Sequence, residues 1–136
     1  MTAENSTGRG TGIKQVMYQV VPLGGGMANV DYSDDGKITG GHLSGDNPPF
    51  VHIDNGQLPG DKLKELWAAA GKVLLALGEK KKIDHANGAY RGVSRLTISG
   101  DGVVLLEITW KAGEKCPERD AAGLLELVMK HRIGGW

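Results

Sequence analysis

Several things are scarce in this sequence, and each shortage excludes something. There is one cysteine, Cys116, so no intramolecular disulfide can staple the chain. Lys and Arg total 16 and so do Asp and Glu. A chain without net charge lacks the basic excess by which phosphate-neutralising proteins hold nucleic acid. The same balance gives no general attraction to an anionic membrane surface. No apolar run approaches the ~18 residues a membrane-spanning helix needs. Nor does the start of the chain hold the ~7–15 residue apolar centre of a secretory signal. The expected location is therefore the cytoplasm, with neither nucleic acid nor membrane as partner.

Glycine, by contrast, is plentiful: 22 of 136 residues, about twice the usual ~7%. The glycines follow no period and fall where turns and caps are expected, which excludes a collagen-like structure. A chain of 136 residues suits one domain. Residues 1–12, MTAENSTGRGTG, have almost nothing to bury and are expected to form a disordered tail. Residues 13–136 are expected to form a single α+β domain.

Hydrophobic periodicity sets the order of elements. Lys14 to Pro22 reads as a strand with apolar residues on both faces, Val16, Tyr18 and Val20 on one and Met17 and Val21 on the other. It is therefore expected to be central, or to pack across a symmetric interface. Ala28, Val30 and Tyr32 alternate with polar residues. Asp34-Asp35-Gly36-Lys37 turns the chain into a short return strand, Lys37 to His42. Ser44 to Gly56 carries the loop signals Asp46-Asn47-Pro48-Pro49 and Asp54-Asn55-Gly56. Only Phe50 to Ile53 could be extended there, as an edge strand shielded by the prolines before it.

Leu63, Leu66, Trp67, Ala70, Val73, Leu74 and Leu77 follow helical spacing. Asp61 or Gly60 is the expected N-cap, after Pro59, and Gly78 the left-handed stop. Glu79 to Gly88 reads as a polar connector. Leu96 and Ile98, then Val104, Leu106, Ile108 and Trp110, form a hairpin around Gly100-Asp101-Gly102. A second helix is expected from about Pro117, with Ala121, Leu124, Leu125 and Val128 as its buried stripe and His131 or Arg132 at its end.

Candidate chemistry is sparse. Asp31, Ser33, Asp35 and Gly36 match the early positions of a calcium-binding EF-hand loop, yet the twelfth place holds His42 instead of the bidentate Glu. The simpler reading is a turn, and calcium at Asp31, Ser33 and Asp35 is the alternative. His42, His52, His85 and His131 lack metal-ligand spacing, and Cys116 has no nearby thiol. Gly24-Gly25-Gly26 could cradle an anion, but an extended segment follows instead of the helix N-terminus such a site uses. No metal and no cofactor are expected. Trp67 and Trp110 are placed in the core.

The order of pieces resembles the emfourin-type proteins, small inhibitors of thermolysin-like metallopeptidases. The pieces that carry the likeness are Val20 to Met27, Tyr32 to Ile38, Gly56-Gln57-Leu58 leading into Leu63 to Leu77, Ala89-Tyr90 leading into Leu96 to Trp110, and Leu124 to Met129. The resemblance implies a peptidase inhibitor that binds another protein. It transfers no inhibitory residue, because no specific inhibitory motif stands in this chain.

The expected fold is thus α+β: an antiparallel sheet of four or five strands with two helices packed on one face. The expected function is a small non-enzymatic protein-binding module, and in the sense of that resemblance a peptidase inhibitor, with Gly24, Gly25, Gly26 and Met27 as the contact loop. One alternative is a small-molecule-binding or enzymatic domain whose pocket lies between sheet and helices, lined by Tyr18, Tyr32, Arg95 or Glu107. Another is a homo-oligomeric assembly subunit joined through the Lys14 to Pro22 strand.

Overall fold

The computed structural model describes residues 12–46 and 50–133. The chain is α+β, with two helices and a seven-stranded mixed sheet. Its elements are β1 (Gln15–Val21), β2 (Met27–Ser33), β3 (Lys37–Leu43), β4 (Val51–Gln57), α1 (Gly60–Leu77), β5 (Lys82–Asp84), β6 (Val93–Ser99), β7 (Val104–Lys111) and α2 (Ala122–Lys130). Short 3-10 turns follow α1 and precede α2. The strand order is β4-β3-β2-β1-β6-β7-β5. Every pairing is antiparallel except β5 with β7.

The expected antiparallel sheet of four or five strands is corrected to seven strands with one parallel pair, and two strands account for most of the difference. β5 was hidden in the polar connector, since only Ile83 of its three residues is apolar. β4 runs straight through Asp54-Asn55-Gly56, which had read as a loop. Pairing with β3 along seven residues overrides the local turn preference. The prolines at 48 and 49, expected to shield this edge, lie outside the described residues, as do most of the expected N-terminal tail and the last three residues.

Alternation decides which face is covered. Val16 and Tyr18 of β1 stand beside Tyr32 and Val30 of β2, and beside Ile98 and Leu96 of β6. Leu106 and Ile108 of β7 continue that face, and Ile83 of β5 lies against Ile108. Leu66, Ala70, Val73 and Leu77 of α1 and Leu124 and Val128 of α2 close over it, and nearly all of these residues are buried in one cluster. At ~25 cal/mol per Å² of apolar area removed from water, this cluster is the main stabilising element. Tyr32 reaches through it, its hydroxyl donating to the Val128 carbonyl at 2.6 Å. Burial pushes the Tyr32 phenol well above its usual range, against a smaller opposing pull from Arg132. Trp67 is only half-buried, its indole N–H donating to the Ile13 carbonyl.

The strand β1 pairs on both sides, so it is central as expected and has no free edge. Edge pairing of Lys14 to Pro22 with a second copy is thereby excluded, since both of its edges are taken. The expected helix ends are corrected too. α1 is preceded by Pro59 with no side-chain cap, and Gly78 keeps right-handed dihedrals while the helix tightens into a 3-10 turn. The left-handed residue is Lys81, at φ 60°. α2 begins five residues after Pro117, behind its own 3-10 turn.

After α2 the chain crosses the far half of the sheet, and a glycine makes room for it. A Cβ on Gly40 would collide with the Ile133 carbonyl oxygen, and one on Gly56 would touch the Ile133 side chain at 3.3 Å. Bare backbone on β3 and β4 thus replaces side chains with a seat for Ile133.

Candidate binding surface at the loop end of the sheet

The topology gathers four connections at one end of the sheet. β1 finishes there and β2 starts there, β3 hands over to β4, β5 to β6, and β7 leads toward α2. Turn chemistry shapes each. Gly25 and Gly26 take φ of 102° and 84°, values that cost an L-residue strain. A Cβ on Gly26 would stand 3.1 Å from the Gly45 nitrogen. The β1–β2 turn therefore lies flat on the β3–β4 connection. Asp84 ties down the next loop, accepting the Ala86 N–H at 2.8 Å and the Gly88 N–H at 2.7 Å. Those two bonds hold its carboxyl below its usual range.

Further bonds link the loops to one another. The Arg91 guanidinium donates to the Pro22 carbonyl at 3.3 Å, and the Ala112 N–H to the Gly92 carbonyl at 2.9 Å. His85 and Glu118 lie 2.7 Å apart, and the Trp110 indole N–H donates to the Glu114 carbonyl at 3.1 Å. Loops fixed this way lose little further freedom on binding.

Between them lies a cleft of about 840 Å³, lined by Pro22, Leu23, His85, Arg91, Lys111 and Glu114 among others. Leu23 rests against Gly92 yet stays 81% exposed, and Tyr90 is 79% exposed. Large apolar side chains standing in water at a rigid rim suit a protein partner, with charges at the border.

The anticipated contact loop lies on this end. Gly24, Gly25 and Gly26 form the β1–β2 turn, while Met27 is the first residue of β2. Its sulfur accepts from the Gln19 side chain at 2.9 Å. Leu23 and Tyr90 are the functional candidates that sequence reasoning passed over. A large apolar residue between Pro22 and a glycine run was the available signal for the first.

The pocket residues proposed for the sheet–helix space separate. Tyr18 and Tyr32 face the helices; Arg95 and Glu107 face away. Arg95 opposes Gln19 and Thr109, and Glu107 opposes Thr97 and Lys82. A strand shifts face with every residue, and these two have the other parity. Tyr18 does border a smaller cleft of about 270 Å³ with Trp110, Cys116, Leu125 and Met129. The Tyr18 and Trp110 rings stack at 6.0 Å. Burial pushes the Cys116 thiol above its usual range, which makes it a weak nucleophile.

The calcium alternative is dispersed by the strands. Asp31 sits within β2 on the open face and accepts from the Gln15 amide at 2.7 Å, whereas Asp35 lies in the β2–β3 turn and accepts the Lys37 N–H. Among the described residues no three His, Cys, Asp or Glu are grouped to hold a metal, and no helix is long and apolar enough to cross a membrane. His42 and His52, ten apart in sequence, face each other across β3 and β4 with ring centroids 5.9 Å apart, and His52 pairs with Asp54 at 2.9 Å.

No protein-family model matches the chain, and a search of curated proteins finds no similar sequence.

Proposed function

We propose that this chain is a non-enzymatic protein-binding module that meets its partner with the loop end of the sheet. The observation carrying this reading is Leu23, exposed on the lining of the cleft, with Tyr90 exposed between the lining residues Ala89 and Arg91, on loops already tied by hydrogen bonds. The finer reading, an inhibitor of thermolysin-like metallopeptidases, rests on the resemblance in the order of its pieces. In that reading Gly24 to Met27 lies in the peptidase cleft while Leu23 anchors beside it.

Titration against a thermolysin-like peptidase tests the finer reading. Inhibition is expected, and Leu23→Asp should weaken it at least ~10-fold, the loss of a desolvated apolar anchor. No inhibition at micromolar excess removes the peptidase as partner.

A second reading has its own observation, the apolar cleft beside the stacked Tyr18 and Trp110 rings. A flat apolar ligand would fit there. Binding would alter Trp110 fluorescence, and Leu125→Trp would fill the cleft and abolish the change. A fluorescence response that survives Leu125→Trp would rule this cleft out as its source.

A further inference from the structure

A sheet edge is an adhesive surface, because half of its backbone N–H and C=O groups point outward unpaired. Proteins blunt such edges by shortness, lysine, proline or a bulge. The strand β4 has none of these, and its one charged residue, Asp54, is paired with His52. It is seven residues long, VHIDNGQ, with neither Pro nor Lys, and it pairs with β3 in unbroken register. Among the described residues nothing pairs with its outer side. Val51 and Ile53 are 57% and 62% exposed. Both point to the open face, beside Leu43.

We propose that β4 pairs antiparallel with β4 of a second copy, across a two-fold axis perpendicular to the sheet and centred on Ile53. Such an axis keeps the helices of both copies on one side, so only residues of equal parity can oppose. Four registers lie near the middle of the strand. Centring on Asn55 aligns Ile53 to Gln57 but sets Ile53 against Gln57 and Asp54 against Gly56, with no charged complement. Centring on Asp54 aligns the whole strand but sets two carboxylates opposite each other. Centring on His52 aligns only Val51 to Ile53 and sets ring against ring. Centring on Ile53 aligns Val51 to Asn55. It sets Ile53 against the partner's Ile53, and His52 against the partner's Asp54 at both ends of the axis. Opposite charges or hydrogen-bonding partners directly across a strand pair favour it, and like charges disfavour it. The sequence around Ile53 is thus complementary to itself when reversed, which selects a second copy over an unrelated strand.

The full chain, examined by sedimentation equilibrium, is expected to show twice its 14.4 kDa mass. Ile53→Lys sets two ammonium groups face to face and should return the mass to that of one chain, with an unchanged circular dichroism spectrum because the site is exposed. His52→Asp should also dissociate it, and adding Asp54→His should restore it. In a Cys116→Ser background, Ile53→Cys should form a symmetric disulfide under mild oxidation and Asn55→Cys should not. A wild-type chain that remains single at about 1 mM overturns the proposal, since even millimolar affinity would show there. So does a double-mass species that survives Ile53→Lys or crosslinks through Asn55→Cys instead.

Discussion

β5 closes one edge of the sheet with three residues, and the middle one, Ile83, is buried; β4 closes the other with seven, none of which is. The short edge is the anchored one. Ile83 pairs with Ile108 under the helices, and the Glu107 N–H donates to the Lys81 carbonyl just before the strand begins. Lys82 and Asp84 present charge to the side. The long edge is held by its ladder to β3 and a few side-chain bonds, among them Gln57 donating to the Asp35 carbonyl and Thr39 to Asn55. Length and attachment to the core are therefore independent properties of an edge strand. An edge rich in backbone pairing and poor in burial is one that can still accept a neighbour.

The contrast can be broken at its strong side first. Ile83→Ala should cost about 2–5 kcal/mol, the range for emptying a buried aliphatic site. Ile53→Ala should stay within ~0.5 kcal/mol for the single chain, as exposed positions do. Urea denaturation of both variants at a concentration too low for pairing measures the difference. Equal losses would mean that β4 is tied to the core after all.

Next in size is the seat of Ile133. Gly40→Ala puts a methyl where the Ile133 carbonyl lies. The segment after α2 must lift from β3, at about 1–3 kcal/mol, the usual cost of overfilling a packed site. Faster amide exchange in β3 and β4, with β5 and β7 unchanged, would show that this contact steadies the long edge. Uniform change across the sheet would contradict it.

These regions differ also in how they could be read from sequence. The helices were legible because Leu66, Ala70, Val73 and Leu77 lie on one stripe, and amphipathic spacing survives any tertiary context. The central strands were legible because alternation and two-sided apolar character are local facts. β5 was not, since Lys82-Ile83-Asp84 holds a single apolar residue and its pairing is with a strand more than twenty residues away. β4 was half legible, for Asp54-Asn55-Gly56 is turn chemistry that long-range pairing overrode. Gly24 to Gly26 was readable as a turn. The surface built around it was not, because the approach of Leu23 to Gly92 follows from β1 lying beside β6, a matter of strand order.

The smallest effect lies on the open face between the edges. One Asp31 carboxylate oxygen accepts from Gln15, and the other is buried without a partner. Burial raises its pKa above 3.8, and the Gln15 bond offsets only part of that. The sign follows from proton linkage. Well below 3.8 the group is protonated whether the chain is folded or not, and it contributes nothing. As pH rises, the unfolded chain ionises first, so the folded state holds the extra proton and loses stability. Asp31→Asn keeps an acceptor for Gln15 and removes the charge. At neutral pH it should stabilise the fold by less than about 1 kcal/mol, since the residue as a whole is only part-buried. The gain should vanish as pH falls below 3.8. Thermal midpoints of both proteins across that range decide it. A variant that is less stable at neutral pH, or better by the same margin throughout, would show that the buried oxygen carries no penalty.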